Sequence, residues 1–249
     1  MPIKPFGNAT RHTTRLKLGN GGRGSPDIWG GDLTPLHRLS ALRSLDIYKA
    51  TFSNEDLQAI SQLDRLVSLR LQGYGEAAHW PLDLEALAPL VKLEHLELDT
   101  VAFRDLAPMA ALTRLTALKL GFMSHAQLDR GTFEQPGTIG ALEALPQLEE
   151  LDLHDQLGPI DLGELAKLKR LRVLRLRCSE AQSVTDLTPL RHLSHLEELN
   201  LSGTRVKYLK ALRGLPLKYL EIPETVPVSE LRSLRLAIPD LAIVHHGNG

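Results

Sequence analysis

The chain has 249 residues, of which 52 are leucine and only 4% are aromatic. Its 29 basic residues balance 30 acidic ones, which argues against a general binder of nucleic acid or of anionic membranes. The single cysteine, Cys178, excludes an internal disulfide framework and a cysteine-based zinc site, and it is typical of a reducing compartment. The N-terminal segment lacks the apolar run of a signal peptide, so we expect a cytoplasmic protein.

In chain order, a strand-like segment at Leu16–Leu18 comes first and seven windows of one repeated form follow it. The windows are 32–47, 56–71, 83–98, 105–120, 138–153, 161–176 and 186–201. Each follows D-L-x-x-L-x-x-L-x-x-L-x-x-L-x-L with occasional replacements, and two degraded copies end at Leu220–Ile222 and Leu241–Ile243. About ten units with a mean spacing of about 25 residues indicate a solenoid of stacked repeats.

Each window predicts one strand and one short helical segment. The closing L-x-x-L-x-L, as in Leu196, Leu199 and Leu201, ends in the period-two alternation of a strand with one apolar face. The preceding leucines, three apart, predict a short α or 3₁₀ segment with its own apolar stripe. Stacking buries both stripes, so we expect an α/β domain over residues 1–249, with an N-terminal cap (1–12), repeats (13–243) and a C-terminal tail (244–249).

Six of the seven windows begin with an aspartate, at the point where the helical segment is expected to start. A carboxylate at this place accepts hydrogen bonds from the free backbone N–H groups of a helix. We therefore predict six N-caps rather than metal ligands: Asp32, Asp56, Asp83, Asp105, Asp161 and Asp186.

The segment LEELNLSGTRV at 196–206 and the recurring DLTPL resemble the short bacterial-type leucine-rich repeats of the internalins. The resemblance covers roughly residues 13–243. It implies a right-handed horseshoe with a concave parallel sheet and short convex helices, and a scaffold that binds partners. Many such repeats place an asparagine after the strand, and these asparagines form a continuous ladder. No such ladder is expected here, because the position is occupied by Ala50, Val101, Ser179, Thr204 and Thr225.

The central solvent-facing position of successive strands carries charges of alternating sign through seven strands. One interpretation is a solvated surface that avoids like-charge repulsion between neighbouring strands. The other is a polar concave face that recognises a charged protein partner in a fixed register. A nucleic-acid ligand would instead favour charges of one sign along this row. The row consists of Lys17, Asp46, Arg70, Glu97, Lys119, Asp152, Arg175, Asn200, Glu221 and Ala242.

The middle of this face has a denser cluster, with small residues at Ala117 and Gly121 forming a shallow trough between two richly charged strands. The cluster could hold a divalent metal or act as acid and base, could contact a protein, or could be an ordinary charged surface. A separation of about 10 Å between the flanking strands, with Lys119 between them, argues against the metal. The predicted concave contact residues are His95, Glu97, Asp99, Lys119, Glu150, Asp152, His154, Arg175 and Arg177.

The longest loops, 19–31, 72–82 and 121–137, follow strands one, three and five and share one rim of the solenoid. Long loops with aromatic side chains are common binding sites, although the rings could equally cover their own loops. Phe52 and Phe103 are instead predicted to be core residues. The predicted rim contacts are Trp29, Tyr48, Tyr74, His79, Trp80, Phe122, Met123 and Phe133.

The sequence thus predicts a non-enzymatic module that contacts a protein partner through its concave face and this rim, without cofactor or metal. Two alternatives stay open. One is a homo-oligomeric scaffold, because few residues are available to cover the last strand, where we expect weak self-association. The other is a metal-dependent enzyme that uses the cluster of His95, Glu97, Asp99, Glu150, Asp152 and His154.

Overall fold

The computed structural model describes residues 6–19, 32–74, 81–101, 103, 105–121, 139–154, 161–177 and 184–246. Within these residues, ten strands form one sheet in which every strand pairs in parallel with its neighbours in the sequence. The strands are β1 (Arg15–Leu18), β2 (Ser44–Ala50), β3 (Ser68–Gly73), β4 (His95–Asp99), β5 (Ala117–Gly121), β6 (Glu150–His154), β7 (Val173–Arg175), β8 (Glu198–Asn200), β9 (Tyr219–Pro223) and β10 (Ala242–His246). The prediction of one strand per unit is confirmed.

Short helices form a second layer, in which each helix contacts the next one along the chain. Leucines three residues apart suit the three residues per turn of a 3₁₀ helix, which explains why most of these segments are 3₁₀. The α-helices are α1 (Asn54–Ser61), α2 (Leu162–Leu165) and α3 (Val228–Ala237), and the 3₁₀ segments are Thr34–Arg38, Leu84–Leu87, Ala107–Ala111, Ile139–Ala144, Thr188–His192 and Lys210–Leu212. Over the described residues, we find no helix with the length and apolar character needed to cross a bilayer.

The core lies between the two layers and is built from leucines in register. One row crosses eight neighbouring strands, and each of its members is at most 2% exposed: Leu45, Leu69, Leu96, Leu118, Leu151, Leu174, Leu199 and Leu220. Phe103 is buried and Phe52 packs half-buried against the same core, as predicted. The period-two alternation of the sequence therefore leaves the opposite face of the sheet, here called the open face, to polar side chains.

Five of the six predicted capping aspartates accept a hydrogen bond from the backbone N–H two residues later, at 2.7–3.0 Å: Asp32, Asp83, Asp105, Asp161 and Asp186. Asp83 and Asp161 are N-caps as predicted. The prediction is wrong by one residue for Asp32, Asp105 and Asp186, which precede N-caps at Leu33, Leu106 and Leu187. Asp56 was wrongly predicted as an N-cap, because α1 begins earlier, at Asn54. Ser53 is the N-cap, and the Asp56 side chain accepts from the Ser53 backbone N–H at 2.8 Å. The pair forms a capping box.

Threonines replace part of the missing asparagine ladder. Thr204, buried to 2% exposure, donates its hydroxyl to the Leu201 carbonyl at 2.6 Å. Thr225 donates to the Val206 carbonyl at 2.7 Å. Ala50 and Val101 are buried apolar residues at the same place, and Ser179 lies outside the described residues. Hydroxyl groups therefore satisfy a backbone carbonyl at two of these positions, Thr204 and Thr225.

The last strand has a different register from the one predicted. Val244, not Ala242, lies beside Glu221, and Ala242 pairs with Tyr219. The sequence alignment matched Leu241 and Ile243 to Leu220 and Ile222, whereas the structure pairs Ile243 with Leu220. Strand pairing accordingly continues past residue 243.

Candidate functional site: a groove on the open face

The charged row of the open face is in register, but its ion pairs are unevenly distributed. The Glu97 carboxylate accepts from Arg70 Nε at 2.5 Å and from Lys119 Nζ at 2.7 Å. Lys17 Nζ lies 3.7 Å from the Asp46 carboxylate. Three other pairs of opposite charge are adjacent in the strand register but have no ion contact within 4 Å among the described residues. They are Asp46–Arg70, Lys119–Asp152 and Asp152–Arg175. Each of these charges has its ion contact elsewhere: Asp46 with Lys17, Arg70 and Lys119 with Glu97, Asp152 with His154, and Arg175 with Glu198.

An open groove of about 340 Å³ runs along this face from β2 to β7. Six of the predicted concave residues line it: His95, Glu97, Lys119, Glu150, Asp152 and Arg175. Ala117 lies between His95 and Glu150, as expected from the trough in the sequence. Ser44 and Ser68, which the sequence analysis missed, extend the groove toward β2. The sequence signal for both was their position in the register, because each is the first residue of its strand. Ser68 lies beside His95, and Ser44 lies beside Ser68.

The other end of the predicted trough is filled by a histidine. His154, on β6, reaches over Gly121 of β5 so that its Nε2 lies 3.4 Å from Asp99 Oδ1 on β4. Its Nδ1 lies 3.3 Å from Asp152 Oδ1. A Cβ atom on Gly121 would collide with the His154 ring, so the absence of a side chain there makes the crossing possible. The expectation that this end of the trough is open is therefore wrong.

This contact shifts the acid–base behaviour of its members. Hydrogen bonding to Asp152 and then to Asp99 raises the pKa of His154 to about 9, against the effect of burial. The hydrogen bond from His154, with a smaller one from Gln72 Nε2 at 3.0 Å, lowers the pKa of Asp99 well below its ordinary value. His154 is protonated at neutral pH and forms a cationic bridge between two carboxylates.

The same contact bears on the metal interpretation of the cluster. One oxygen of Asp99 and one of Asp152 face the protonated ring of His154, which is a donor and not a metal ligand in that state. Across the described residues, no group of three His, Cys, Asp or Glu side chains is placed to hold a metal ion.

The remaining predicted contacts do not join the groove. Tyr48 of β2 is half-buried, with Lys17 Nζ 4.9 Å from the centre of its ring. Tyr74 follows β3 and is 45% exposed, and Arg177 is exposed just after β7. Six rim residues lie outside the described residues: Trp29, His79, Trp80, Phe122, Met123 and Phe133. Tyr208 and Tyr219, exposed in the C-terminal repeats, were not among the predicted contacts.

No family model and no curated protein matches the chain. Among solved structures, it is similar to the internalin InlF of Listeria monocytogenes, with a TM-score of 0.66 and 21% identity over 94% of this chain and 62% of that one. The chain has the leucine-rich-repeat fold of the internalins. The predicted solenoid class is thereby confirmed.

Two further structures share this fold. The internalin InlC2 of Listeria monocytogenes has a TM-score of 0.53 and 22% identity, over 78% of this chain and 84% of that one. A TLR13–ssRNA13 complex has a TM-score of 0.66 and 19% identity, over 96% of this chain and 32% of that one. The leucine-rich-repeat chain described here therefore spans about three fifths of InlF and a third of TLR13.

Proposed function

We propose that this leucine-rich-repeat protein is a non-enzymatic binding module whose open face receives a protein partner. The observation that carries the proposal is the groove across β2 to β7, which is lined by charged side chains. The leucines hold the fold from the opposite side of the sheet, so the charged side chains of the groove are not needed for the core. A surface of charged side chains that the core does not require favours recognition of a partner with complementary charges.

The long loops are the second part of the proposed surface. Tyr74, exposed at the end of β3, marks the start of one of them. Trp29 and Trp80 belong to loops whose lengths the repeat does not require, and tryptophan is among the residues most often found at binding hot spots. We propose that the loops contact the partner beside the groove.

Nucleic acid is the alternative ligand that the test must separate from protein. TLR13, which shares this fold, was crystallised in complex with ssRNA13. In the present chain, the signs alternate along the groove through Arg70, Glu97, Lys119, Asp152 and Arg175. The phosphates of a nucleic acid are all negative and would be repelled by the carboxylates of this row, so we favour a protein ligand.

Quantitative affinity capture from a native lysate, with and without nuclease, tests the proposal. Ala117→Trp fills the groove and is expected to lose the partner, whereas Val91→Trp, at a 50% exposed site outside the groove, should retain it. Trp29→Ala and Trp80→Ala should each weaken binding by more than about 1 kcal/mol. A partner that all four variants retain equally, or that nuclease releases, would contradict the proposal.

Self-assembly is a second candidate, favoured by the C-terminal repeat. Leu236 of α3 is 86% exposed, Val228 62% and Val244 of β10 37%. Among the described residues β10 pairs with β9 alone, and a strand edge beside apolar side chains is a common site of association between copies.

We propose the cytoplasm as the site of action, because a single cysteine is typical of reducing compartments. Cell fractionation with antibody detection tests this, and recovery of the protein outside the cell would contradict it.

A further inference from the structure

Strand β5 has a small residue on each side of Lys119, and each one separates a histidine from an acid on the flanking strands. At Gly121, Asp99 of β4 faces His154 of β6. At Ala117 the order is reversed, with His95 on β4 and Glu150 on β6. The two ends of β5 thus carry the same pair of side-chain types across a gap of about 10 Å, two strand spacings.

The two gaps differ in what fills them. Over Gly121 the histidine crosses the gap and meets the acid, with Nε2 3.4 Å from Asp99 Oδ1. Over Ala117 the gap belongs to the groove, and both His95 and Glu150 are exposed. Within the described part of the chain, neither of these two side chains makes a hydrogen bond or an ion pair. This gap, called here the Ala117 slot, is open to an external group.

The uncompensated charge beside the slot is negative. Arg70 and Lys119 both contact Glu97, and Arg175 Nη2 lies 3.4 Å from Glu198 Oε2. Every cation that lines the groove therefore has a carboxylate within 4 Å, whereas Glu150 has no cation at that distance among the described residues. Four carboxylates line the groove against three of these cations, a difference of one negative charge.

We propose that the Ala117 slot binds an arginine side chain presented by an extended segment of the protein partner. The guanidinium donates to the Glu150 carboxylate, and its plane rests against the imidazole of His95. Arginine suits the slot better than lysine, because its planar group pairs with a carboxylate through two donors, stacks on rings and is weakly hydrated. Lys119 Nζ, 2.7 Å from Glu97 Oε1, is directed toward β4 and leaves the β6 side to the ligand.

An extended segment fits the shape of the groove. The groove is open along its length and crosses six strands, a span of about 24 Å at the spacing of a sheet. About seven extended residues cover that distance. This inference rests on the proposed function and adds to it the chemistry of one contact.

Synthetic seven-residue peptides test the contact without knowledge of the partner. An acetylated Gly/Ser peptide with a central arginine is titrated into the full chain at pH 7.5, with the imidazole signals of His95 observed by NMR. We expect the arginine peptide to shift the His95 signals in a saturable way. The citrulline peptide, which keeps the shape without the charge, should bind at least about fivefold more weakly, and the glutamate peptide should not bind.

Matched variants locate the contact. Glu150→Gln should weaken the arginine peptide at least about fivefold, and Ala117→Leu should abolish its binding by filling the slot. Glu85→Gln, at an exposed glutamate on the helical side, should leave it unchanged.

Equal binding of the arginine and citrulline peptides would overturn the inference, as would preference for the glutamate peptide, no saturable binding, or no effect of Glu150→Gln. A partner that Ala117→Trp releases but Glu150→Gln retains would leave the proposed function in place and remove only the arginine contact.

Discussion

Gly121 has a specific role at the scale of single residues, because it lets His154 contact a strand that is not its neighbour. Gly121→Ala places a methyl group against the His154 ring and should force the ring away from Asp99. We expect a loss of about 1–3 kcal/mol in the free energy of unfolding, the usual cost of overpacking. Urea denaturation measures it. Gly214→Ala, where an added Cβ meets nothing within 4 Å, is the control, and equal stability of the two variants would contradict the prediction.

The bridge also predicts how stability depends on pH. The pKa of His154 is raised from 6.5 to about 9 in the folded state, so the folded chain binds this proton more tightly than the unfolded one. Its contribution is complete below about pH 6.5 and is lost as the pH rises toward 9.

Unfolding free energies measured from pH 6 to pH 10 should therefore fall more steeply for the natural chain than for His154→Gln. At pH 6 we expect His154→Gln to cost about 1.5–3 kcal/mol, as for a hydrogen bond to a charged group, and to cost little at pH 10. Parallel pH profiles for the two proteins would contradict the assignment.

The sequence predicts which residues face one another in this cluster but not which of them touch. Period-two alternation and equal window lengths place Asp99, Gly121 and His154 side by side, because a parallel sheet keeps its register. Whether the ring of His154 crosses the gap depends on its rotamer and on the space above Gly121. Those are properties of the folded packing, and the same reasoning leaves the His95 and Glu150 pair undecided.

At the scale of elements, the N-caps Asp83 and Asp161 explain where their short helices begin. Asp83 accepts the Glu85 N–H at 3.0 Å, and a four-residue helix has few other interactions to fix its start. Asp83→Ala should lower the free energy of unfolding by about 1 kcal/mol, whereas Asp83→Ser should preserve most of the stability. Thermal melts of the two variants compare them, and an equal loss would show that the cap bond contributes nothing.

Two errors at the scale of elements have separate physical origins. Asp56 occupies the window position of a cap, but the capping box with Ser53 starts α1 earlier. In the last unit, Leu241 and Ile243 match the sequence pattern of the repeat, yet strand pairing places Ile243 against Leu220. Local competition from a better cap and the weak repeat of the last unit override the average pattern.

At the scale of the whole molecule, the C-terminal end is less well buried than the interior repeats. Leu231, Ile238 and Ile243 are half-buried, whereas Leu220, one strand earlier, is fully buried. We predict concentration-dependent self-association through this end, measured by light scattering over a dilution series. Leu236→Glu combined with Val244→Lys should reduce it, and Val91→Lys, at another exposed site, should not. A natural chain that stays monomeric at every concentration would disprove the prediction.

The overall architecture was predictable because the same leucine pattern recurs many times along the chain. The rim was less accessible to the same reasoning, since the lengths of the long loops are independent of the repeat. Tyr48 illustrates the difficulty, because Lys17 Nζ of β1 lies 4.9 Å from the centre of its ring, a contact that the loop lengths do not indicate.

The link from His154 to Asp99 has a consequence for how the solenoid opens. In a linear array each unit contacts its two neighbours, so an opening can stop at any boundary. A side chain that joins β4 to β6 ties three units together, and separating any two of them also breaks this link. In native-state hydrogen exchange, we expect the amides of β4, β5 and β6 to exchange as one cooperative block. In Gly121→Ala that block should split, with β4 and β6 exchanging at different rates.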